Sequence, residues 1–293
     1  MKVIGVVVNT DKDQGLKYTR ILIDSISKSG GECILPPEIA EELSMESFAT
    51  TEADIMEKSD CIICLGGDGT FLKAARKAYT FQKPILGINL GSLGFLTEID
   101  KNDIPAAVEN IRNGKFTIEH RMMLDTAIIR ENSIIARDIA LNDIVISKGS
   151  LSRILHLKAF VNETLIDLIP GDGLIVSSPT GSTAYSLSAG GPIVEPDTDL
   201  MIVTPICPHI LYSRSFVTTG DRIVSVVIEE SGSYDAMVTV DGQNGYKVFG
   251  GDCIEVRKSP HFVKMIRLSS HDFFNVLRAK IYDRGEKLRK DEV

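Results

Sequence analysis

The sequence predicts an N-terminal α/β domain with a mostly parallel sheet, followed by a β-rich C-terminal domain. In residues 1–114, short apolar runs rich in β-branched residues alternate with segments of helical spacing, and this order is typical of α/β folds. In residues 115–268, strand-like segments follow one another almost without helices, which indicates a β-rich domain. Residues 269–293 are predicted to form a C-terminal helix that returns to the first domain, followed by a charged tail.

The elements follow from apolar periodicity and from the glycine and proline residues that interrupt it. In the first domain the predicted strands are Lys2–Asn9, Cys61–Leu65 and Pro84–Leu90, and the predicted helices are Gly15–Ser29, Phe71–Tyr79 and Ile104–Arg112. In the second domain the predicted strands are Phe116–His120, Leu124–Arg130, Ser133–Ala136, Asp143–Ser147, Ile154–Val161, Thr164–Leu168, Leu174–Ser177, Ile223–Ile228, Ala236–Val240 and Cys253–Arg257. Two further helices are predicted at Thr183–Ala189 and His271–Lys280.

Composition excludes several classes of protein. With 43% hydrophobic and 25% charged residues the chain is globular, and its net charge of −8 argues against nucleic-acid binding. No apolar run approaches the ~20 residues of a membrane span, and the apolar start is too short for a secretory signal. The five cysteines are odd in number and scattered, which favours a reducing compartment, so we expect a cytoplasmic protein. Cys61 and Cys64 lie in an apolar run and are interpreted as core residues.

The sharpest local motif is Gly66-Gly67-Asp68-Gly69-Thr70, between a predicted strand and a predicted helix. Glycines allow the backbone to approach a ligand, and a helix N-terminus favours phosphate. Asp68 would be repelled by phosphate unless it accepts a proton or holds Mg²⁺; an ordinary Asp-Gly turn is the alternative. Lys73, one turn later, is either a phosphate ligand or a solvated lysine.

Two segments of the second domain carry further polar groups. The run from Gly171 to Pro192 is dense in glycine, serine and threonine, as a cradle for sugar or phosphate would require, and Tyr185 could cover a base or a ribose. Asn142-Asp143 precedes a strand and could bind ribose hydroxyls or a base edge, although it is also compatible with an ordinary turn.

Together these segments resemble the NAD kinase family. Three motifs match in the family's order: Gly66-Gly67-Asp68-Gly69-Thr70, Asn142-Asp143, and Gly171-Asp172-Gly173 running into Thr183–Ser188. Leu90–Leu96 and Asp241-Gly242-Gln243 are similar as well, so that the resemblance extends from about Val3 to Ser269. The first motif is shared with lipid kinases and phosphofructokinases, whereas the second glycine-to-serine block is specific.

The resemblance implies an NAD kinase/diacylglycerol kinase-like fold with NAD held between the domains, and transfer of the γ-phosphoryl group of ATP to the adenosine ribose 2′-hydroxyl of NAD. Asp68 matches the general base. Positions expected near the nucleotides are Gly69, Lys73, Asn142, Asp143, Arg153, Asp172, Thr183, Ala184, Tyr185, Ser186, Leu187, Ser188 and Gln243. A divalent metal, usually Mg²⁺, and a homodimer or homotetramer are implied too, without identified metal ligands. Pro170 departs from the family, since some members have a ligand-contacting basic residue there.

Two other functions remain open. One is a kinase for another hydroxyl, such as that of a lipid or fructose 6-phosphate, but the chain shows no evident membrane-facing surface and such a kinase would leave the Thr183–Ser188 block unexplained. The other is a regulator that binds NAD(H) or NADP(H) without turnover. Asp68 argues against it, because a carboxylate among phosphates costs affinity unless it is used.

Overall fold

The structure is a computed structural model that describes residues 1–91, 94–149, 154–230, 236–268 and 273–280. The contacts divide the chain into two compact units. Unit 1 is Met1–His120 together with Val263–Val293, and unit 2 is Arg121–Phe262. Two long strands, β6 and β17 below, begin in one unit and end in the other.

Unit 1 is an α/β unit with a parallel sheet. Its strands are β1 (Val3–Val8), β2 (Glu32–Ile34), β3 (Cys61–Gly66), β4 (Ile85–Asn89) and β5 (Ile99–Asp100). Its helices are α1 (Lys17–Lys28), α2 (Pro37–Glu42), α3 (Glu52–Lys58), α4 (Asp68–Ala78), α5 (Ile104–Arg112) and a terminal helix at 273–280. The strands pair in parallel in the order β5-β4-β3-β1-β2.

The core of unit 1 forms where amphipathic helices cover the sheet. Helix α1 buries Leu22, Ile23 and Ile26, and every residue of β3 is buried, as expected of a central parallel strand. The terminal helix also belongs to this unit: the ring of its Phe273 lies 6.2 Å from that of Phe95, centroid to centroid.

Unit 2 is rich in antiparallel β-structure. Its strands are β6 (Thr117–Arg130), β7 (Ser133–Ala140), β8 (Asp143–Lys148), β9 (Leu155–Val161), β10 (Thr164–Gly171), β11 (Gly173–Ser177), β12 (Leu200–Ile206), β13 (Phe216–Thr219), β14 (Ile223–Ile228), β15 (Ala236–Val240), β16 (Asn244–Val248) and β17 (Cys253–Arg267). A 3₁₀ turn at Thr180–Thr183 precedes the short helix α6 (Tyr185–Ser188).

The strands of unit 2 form two layers around one core. One layer has the order β13-β12-β11-β8-β15-β16, and the other contains β10-β9-β14-β17 with the β6–β7 hairpin. Ile144 and Val176 from the first layer share a hydrophobic cluster with Leu157 and Val226 from the second. This packing fixes the position of β8 and β11, whose ends carry the candidate site residues.

The predicted fold class is confirmed, but several element boundaries are wrong. The two strands predicted at Phe116–His120 and Leu124–Arg130 are one continuous strand, Thr117–Arg130. The intervening polar Arg121 suggested a break, but it is buried within the strand and donates to Thr180 Oγ1. The strand predicted at Cys253–Arg257 extends to Arg267. The helices and strands that sequence periodicity missed are β2, α2, α3, β5, β12, β13 and β16.

Cysteine burial agrees with the interpretation of Cys61 and Cys64 as core residues. Both are buried and free, as is Cys33, and burial raises the pKa of each of these thiols to about 12. Cys253 is half-buried, whereas Cys207, just after β12, is exposed. In the described part of the chain, no helix is long and apolar enough to cross a membrane.

The buried Asp13 predicts a measurable loss of stability on truncation. Its carboxylate accepts hydrogen bonds from the backbone N–H groups of Tyr18 and Thr19 at 2.9 and 2.8 Å and from the Thr19 hydroxyl at 2.6 Å. Asp13→Ala leaves these donors without their acceptor, so we expect the free energy of unfolding to fall by ~1–3 kcal/mol. Urea denaturation measures it. The exposed neighbour provides the control: Asp11→Ala should change stability by less than ~0.5 kcal/mol, and equal effects would contradict the assignment.

Candidate active site

In unit 1 the glycine-rich motif forms the junction between β3 and α4. Gly67 is the N-cap residue of α4, and its carbonyl accepts hydrogen bonds from Thr70 N and Phe71 N, both at 3.0 Å. The helix therefore begins at Asp68, and the predicted start at Phe71 is wrong, because the helical turn includes Gly69. A helix N-terminus presents N–H groups that have no intrahelical acceptor, and the N-terminus of α4 lies at this motif. Lys73, one turn further, is exposed.

Asp68 binds the backbone of the loop after β4. Its Oδ1 accepts from Leu96 N at 3.0 Å and from Thr97 N and Oγ1, both at 3.2 Å, while Oδ2 accepts from Phe95 N at 2.9 Å. Across the described residues, Oδ2 thus has a single donor, although a carboxylate oxygen has two lone pairs. The carboxylate is held in one orientation, and Oδ2 retains the capacity to accept another proton donor.

Gly94 permits this close approach. A Cβ at position 94 would lie 2.0 Å from Asp68 Oδ1 and 2.2 Å from Thr97 Oγ1, so that any side chain would displace the loop from the carboxylate. Of the segment that resembled the family at positions 90–96, residues 92 and 93 lie outside the described ranges. The hydrogen bonds of Thr97 and the role of Gly94 were not predicted, because the sequence gives no local sign of a contact with Asp68.

In unit 2 a second buried carboxylate positions the Asn142-Asp143 pair. Asp241 accepts hydrogen bonds from the N–H groups of Leu141, Asn142 and Asp143 at 2.9, 2.8 and 3.2 Å. Its own N–H donates to the Asp143 carbonyl at 3.0 Å. The Asp241-Gly242-Gln243 turn and the Asn142-Asp143 pair, which are far apart in sequence, are therefore brought together. Gln243 is exposed at that turn.

The Asp143 carboxyl is buried beside Asp241. Only 5% of the residue is exposed, and within the described segments its carboxyl has no hydrogen-bond partner. Burial raises its pKa to about 7, and the nearby Asp241 carboxylate adds to the rise. Such a carboxyl keeps its proton below about pH 7 and is about half protonated near that pH. In its protonated form it can donate a hydrogen bond to an acceptor that enters the site.

The loop after β11 packs directly on this pair. Ser178 N donates to the Asn142 carbonyl at 2.9 Å, and Ser177 pairs with Asp143 across β8 and β11. Asp172 precedes β11 and forms an ion pair with Lys148, Nζ to Oδ1 at 2.7 Å. The antiparallel pairing of β8 and β11 therefore places both predicted motifs in one sheet, with Asp143 and Asp172 at opposite ends of the paired segment.

The hydroxyl-rich block at 183–188 is partly structural. Ser186 is fully buried and bonded to Thr204, Oγ to Oγ1 at 3.1 Å, and Thr183 Oγ1 donates to the Thr180 carbonyl at 3.4 Å. The exposed members of the block are Tyr185 and Ser188, while Thr183, Ala184 and Leu187 are partly exposed. The Tyr185 side chain, with 46% of the residue exposed, offers a face to a ligand.

Two further positions were singled out in the sequence, Arg153 and Pro170. Arg153 lies outside the described residues. Pro170, which has no N–H to donate, uses its carbonyl to accept a hydrogen bond from His209 N at 2.7 Å. In this structure position 170 therefore orients the segment after β12.

Comparisons with known proteins identify the family of this chain. Residues 4–116 match the family described as ATP-NAD kinase N-terminal domain, and residues 141–268 match the ATP-NAD kinase C-terminal domain. This chain belongs to the NAD kinase family. An NAD kinase of Acetivibrio thermocellus is 60% identical over 98% of this chain and 99% of its own length, and one of Ruminiclostridium cellulolyticum is 50% identical over 98% and 100%.

Solved NAD kinase structures have the same fold. Yeast NADH kinase in complex with NADH has a TM-score of 0.86 at 25% identity, covering 95% of this chain and 86% of its own. The NAD kinase from Archaeoglobus fulgidus in complex with ATP has a TM-score of 0.75 at 25% identity, covering 96% of this chain and 98% of its own.

The raised pKa of Asp143 predicts a pH-dependent stability. Between about pH 4 and pH 7 the folded protein keeps a proton that the unfolded chain releases, so the free energy of unfolding falls by up to ~1.4 kcal/mol per pH unit. Asp143→Asn removes this loss. We therefore expect the variant to gain stability relative to the wild type as pH rises through this window, with no further gain well above pH 7. Urea denaturation at pH 4.5, 6 and 8 measures it, and a difference independent of pH would contradict the assignment.

Proposed function

We propose that this chain transfers the γ-phosphoryl group of ATP to the adenosine ribose 2′-hydroxyl of NAD, giving NADP and ADP. The observation that carries the proposal is the Asp68 carboxylate, oriented by the 94–97 loop at the start of α4, with Oδ2 able to accept another proton donor. Membership of the NAD kinase family supplies the substrates that this arrangement would act on.

The reaction assigns a defined part to Asp68. The ribose 2′ oxygen forms a bond to the γ-phosphorus, the bond from that phosphorus to the β,γ-bridging oxygen breaks, and ADP leaves. The proton of the 2′-hydroxyl passes to Asp68 Oδ2. Because the hydrogen bonds from Phe95 and Leu96 fix the carboxylate beforehand, the base does not reorganise during the transfer, which is the basis of catalysis by positioning.

The triphosphate would lie against the glycine-rich motif. The N–H groups and dipole of the N-terminus of α4 favour phosphate oxygens, and Gly69 and Lys73 lie on its first turn and a half. Mg²⁺ bound to ATP would neutralise part of the phosphate charge. The chemistry of the site fits such an ion, because Mg²⁺ is commonly held by substrate phosphates with few protein ligands.

The dinucleotide would bind to the polar groups of unit 2. Asn142, held through its N–H by Asp241, has a side-chain amide suited to ribose hydroxyls or a base edge. Asp143, Asp172 and Gln243 add further polar groups, and the exposed face of Tyr185 would cover a ring. Arg153 and the block at 183–188 complete the proposed set.

Location and assembly are further parts of the proposal. The free cysteines favour a reducing compartment such as the cytoplasm. Strand β10 lies at the edge of its layer and exposes Leu165 and Leu168. These apolar side chains suit contact between copies of the chain in a homodimer or homotetramer. Light scattering of the purified protein tests the assembly.

The role of Asp68 predicts a large loss of turnover in Asp68→Asn. A positioned general base typically raises the rate ~10²- to 10⁴-fold, so we expect kcat of the variant to fall by at least ~10²-fold. The measurement is NADP formation from NAD, ATP and Mg²⁺, coupled to an NADP-specific dehydrogenase. NAD affinity and the unfolding midpoint are measured in parallel, because the amide also replaces a carboxylate oxygen that accepts hydrogen bonds from the N–H groups of the 94–97 loop. Turnover close to that of the wild type would rule out the role.

The exposed ring of Tyr185 predicts a second effect, on binding. Tyr185→Ala should weaken NAD binding about 10-fold because it removes the aromatic face, whereas Tyr185→Phe should stay within about 3-fold. Calorimetric titration with NAD distinguishes the two. If the Phe variant lost as much affinity as the Ala variant, the hydroxyl rather than the ring would make the contact.

A further inference from the structure

A lysine from a distant part of the sequence lies over the glycine-rich motif. A Cβ built on Gly67 would be 2.7 Å from Lys12 Nζ, and among the described residues, the glycine's chain neighbours apart, no other side chain comes within 4 Å of it. Lys12 lies in the loop after β1, and Gly67 caps α4. The ammonium group therefore occupies the space that a side chain at position 67 would fill.

The loop that carries Lys12 is anchored at both ends. Asn9 N donates to the Leu65 carbonyl at 2.9 Å, and Asn9 Nδ2 donates to Thr70 Oγ1 at 3.1 Å. On the other side, the buried Asp13 caps the start of α1. Lys12 N itself donates to the Asn9 carbonyl at 3.1 Å. The backbone of Lys12 is therefore fixed relative to the motif, while its side chain is exposed.

In the described part of the chain, the ammonium group of Lys12 has no acidic side chain paired with it. Within the described ranges, its Nζ forms no ion pair or hydrogen bond, although other lysines of unit 1 do: Lys2 pairs with Glu32 and Lys58 with Asp54. An ammonium group is a compact charge with three donors, suited to the oxygens of a phosphate. Here it lies beside a helix N-terminus that favours the same ligand.

We propose that Lys12 binds the terminal phosphates of the triphosphate donor at the glycine-rich motif, and so offsets the charge that Asp68 places near them. This inference rests on the proposed function, since it assumes that ATP lies at the motif. The structure thus favours Lys12 as the lysine that binds the phosphates of ATP, whereas the sequence suggested Lys73.

The test compares a triphosphate with a monophosphate. Calorimetry measures binding of the non-hydrolysable analogue AMP-PNP with Mg²⁺, and of AMP, to the wild type, Lys12→Ala, Lys12→Arg and Lys28→Ala. Lys28, at the far end of α1, is the matched surface lysine. Lys12→Ala should weaken AMP-PNP binding ~10- to 100-fold and leave AMP binding within 2-fold. Lys12→Arg, which keeps the charge, should recover part of the loss.

Steady-state kinetics give an independent measurement. In Lys12→Ala we expect kcat/KM for ATP to fall ~10-fold or more while KM for NAD stays within about 2-fold of that of Lys28→Ala. The inference is overturned if Lys12→Ala matches Lys28→Ala with AMP-PNP, or if it weakens AMP and AMP-PNP equally, which would mean a distorted site. Failure of the proposed function has a different signature: a wild type that forms no NADP, whatever the result with AMP-PNP.

Discussion

The parallel ladder of β1, β3 and β4 is the constraint on which the candidate active site depends. Val8 pairs with Leu65, and Gly66 pairs with Asn89, so these three strands end at the same edge of the sheet. Parallel strands require crossover connections, and therefore the loops that leave this edge come from distant parts of the sequence. The Lys12 loop, the glycine-rich motif and the 94–97 loop leave the sheet at this common edge, and side-chain contacts then fix them against one another.

Carboxylates that accept backbone N–H groups hold these loops in place. Asp68 orders the loop after β4 and Asp241 orders the Asn142-Asp143 pair, while Asp13 orders the start of α1. In each case the side chain satisfies N–H groups that the irregular backbone would otherwise leave without an acceptor. Asp68 differs from the other two because it is partly exposed, whereas Asp13 and Asp241 are buried. Its Oδ2 is therefore accessible to another proton donor, which is the property that a general base needs.

The elements that could be predicted from the sequence are those with a local, periodic apolar pattern. The central strand β3 and helix α5 follow from apolar spacing, and the helix at Ile104–Arg112 was predicted with its observed bounds. Strand β2 was missed because it has three residues, of which Cys33 alone is buried, too few to show a period. The motifs identified Asp68 and Asn142-Asp143, but the contact of Lys12 with Gly67 joins residues that only sheet pairing brings together.

The distribution of cysteines makes Cys207 a selective site for a fluorescent label. Burial holds Cys33, Cys61 and Cys64 as unreactive thiols, and Cys253 is half-buried with its pKa raised to about 11. Cys207 is exposed and directly follows Ile206, whose carbonyl accepts a hydrogen bond from Asp172 N at 2.9 Å. A maleimide fluorophore would therefore attach to the native protein at Cys207, near Asp172 of the proposed dinucleotide site, without the need to introduce a cysteine.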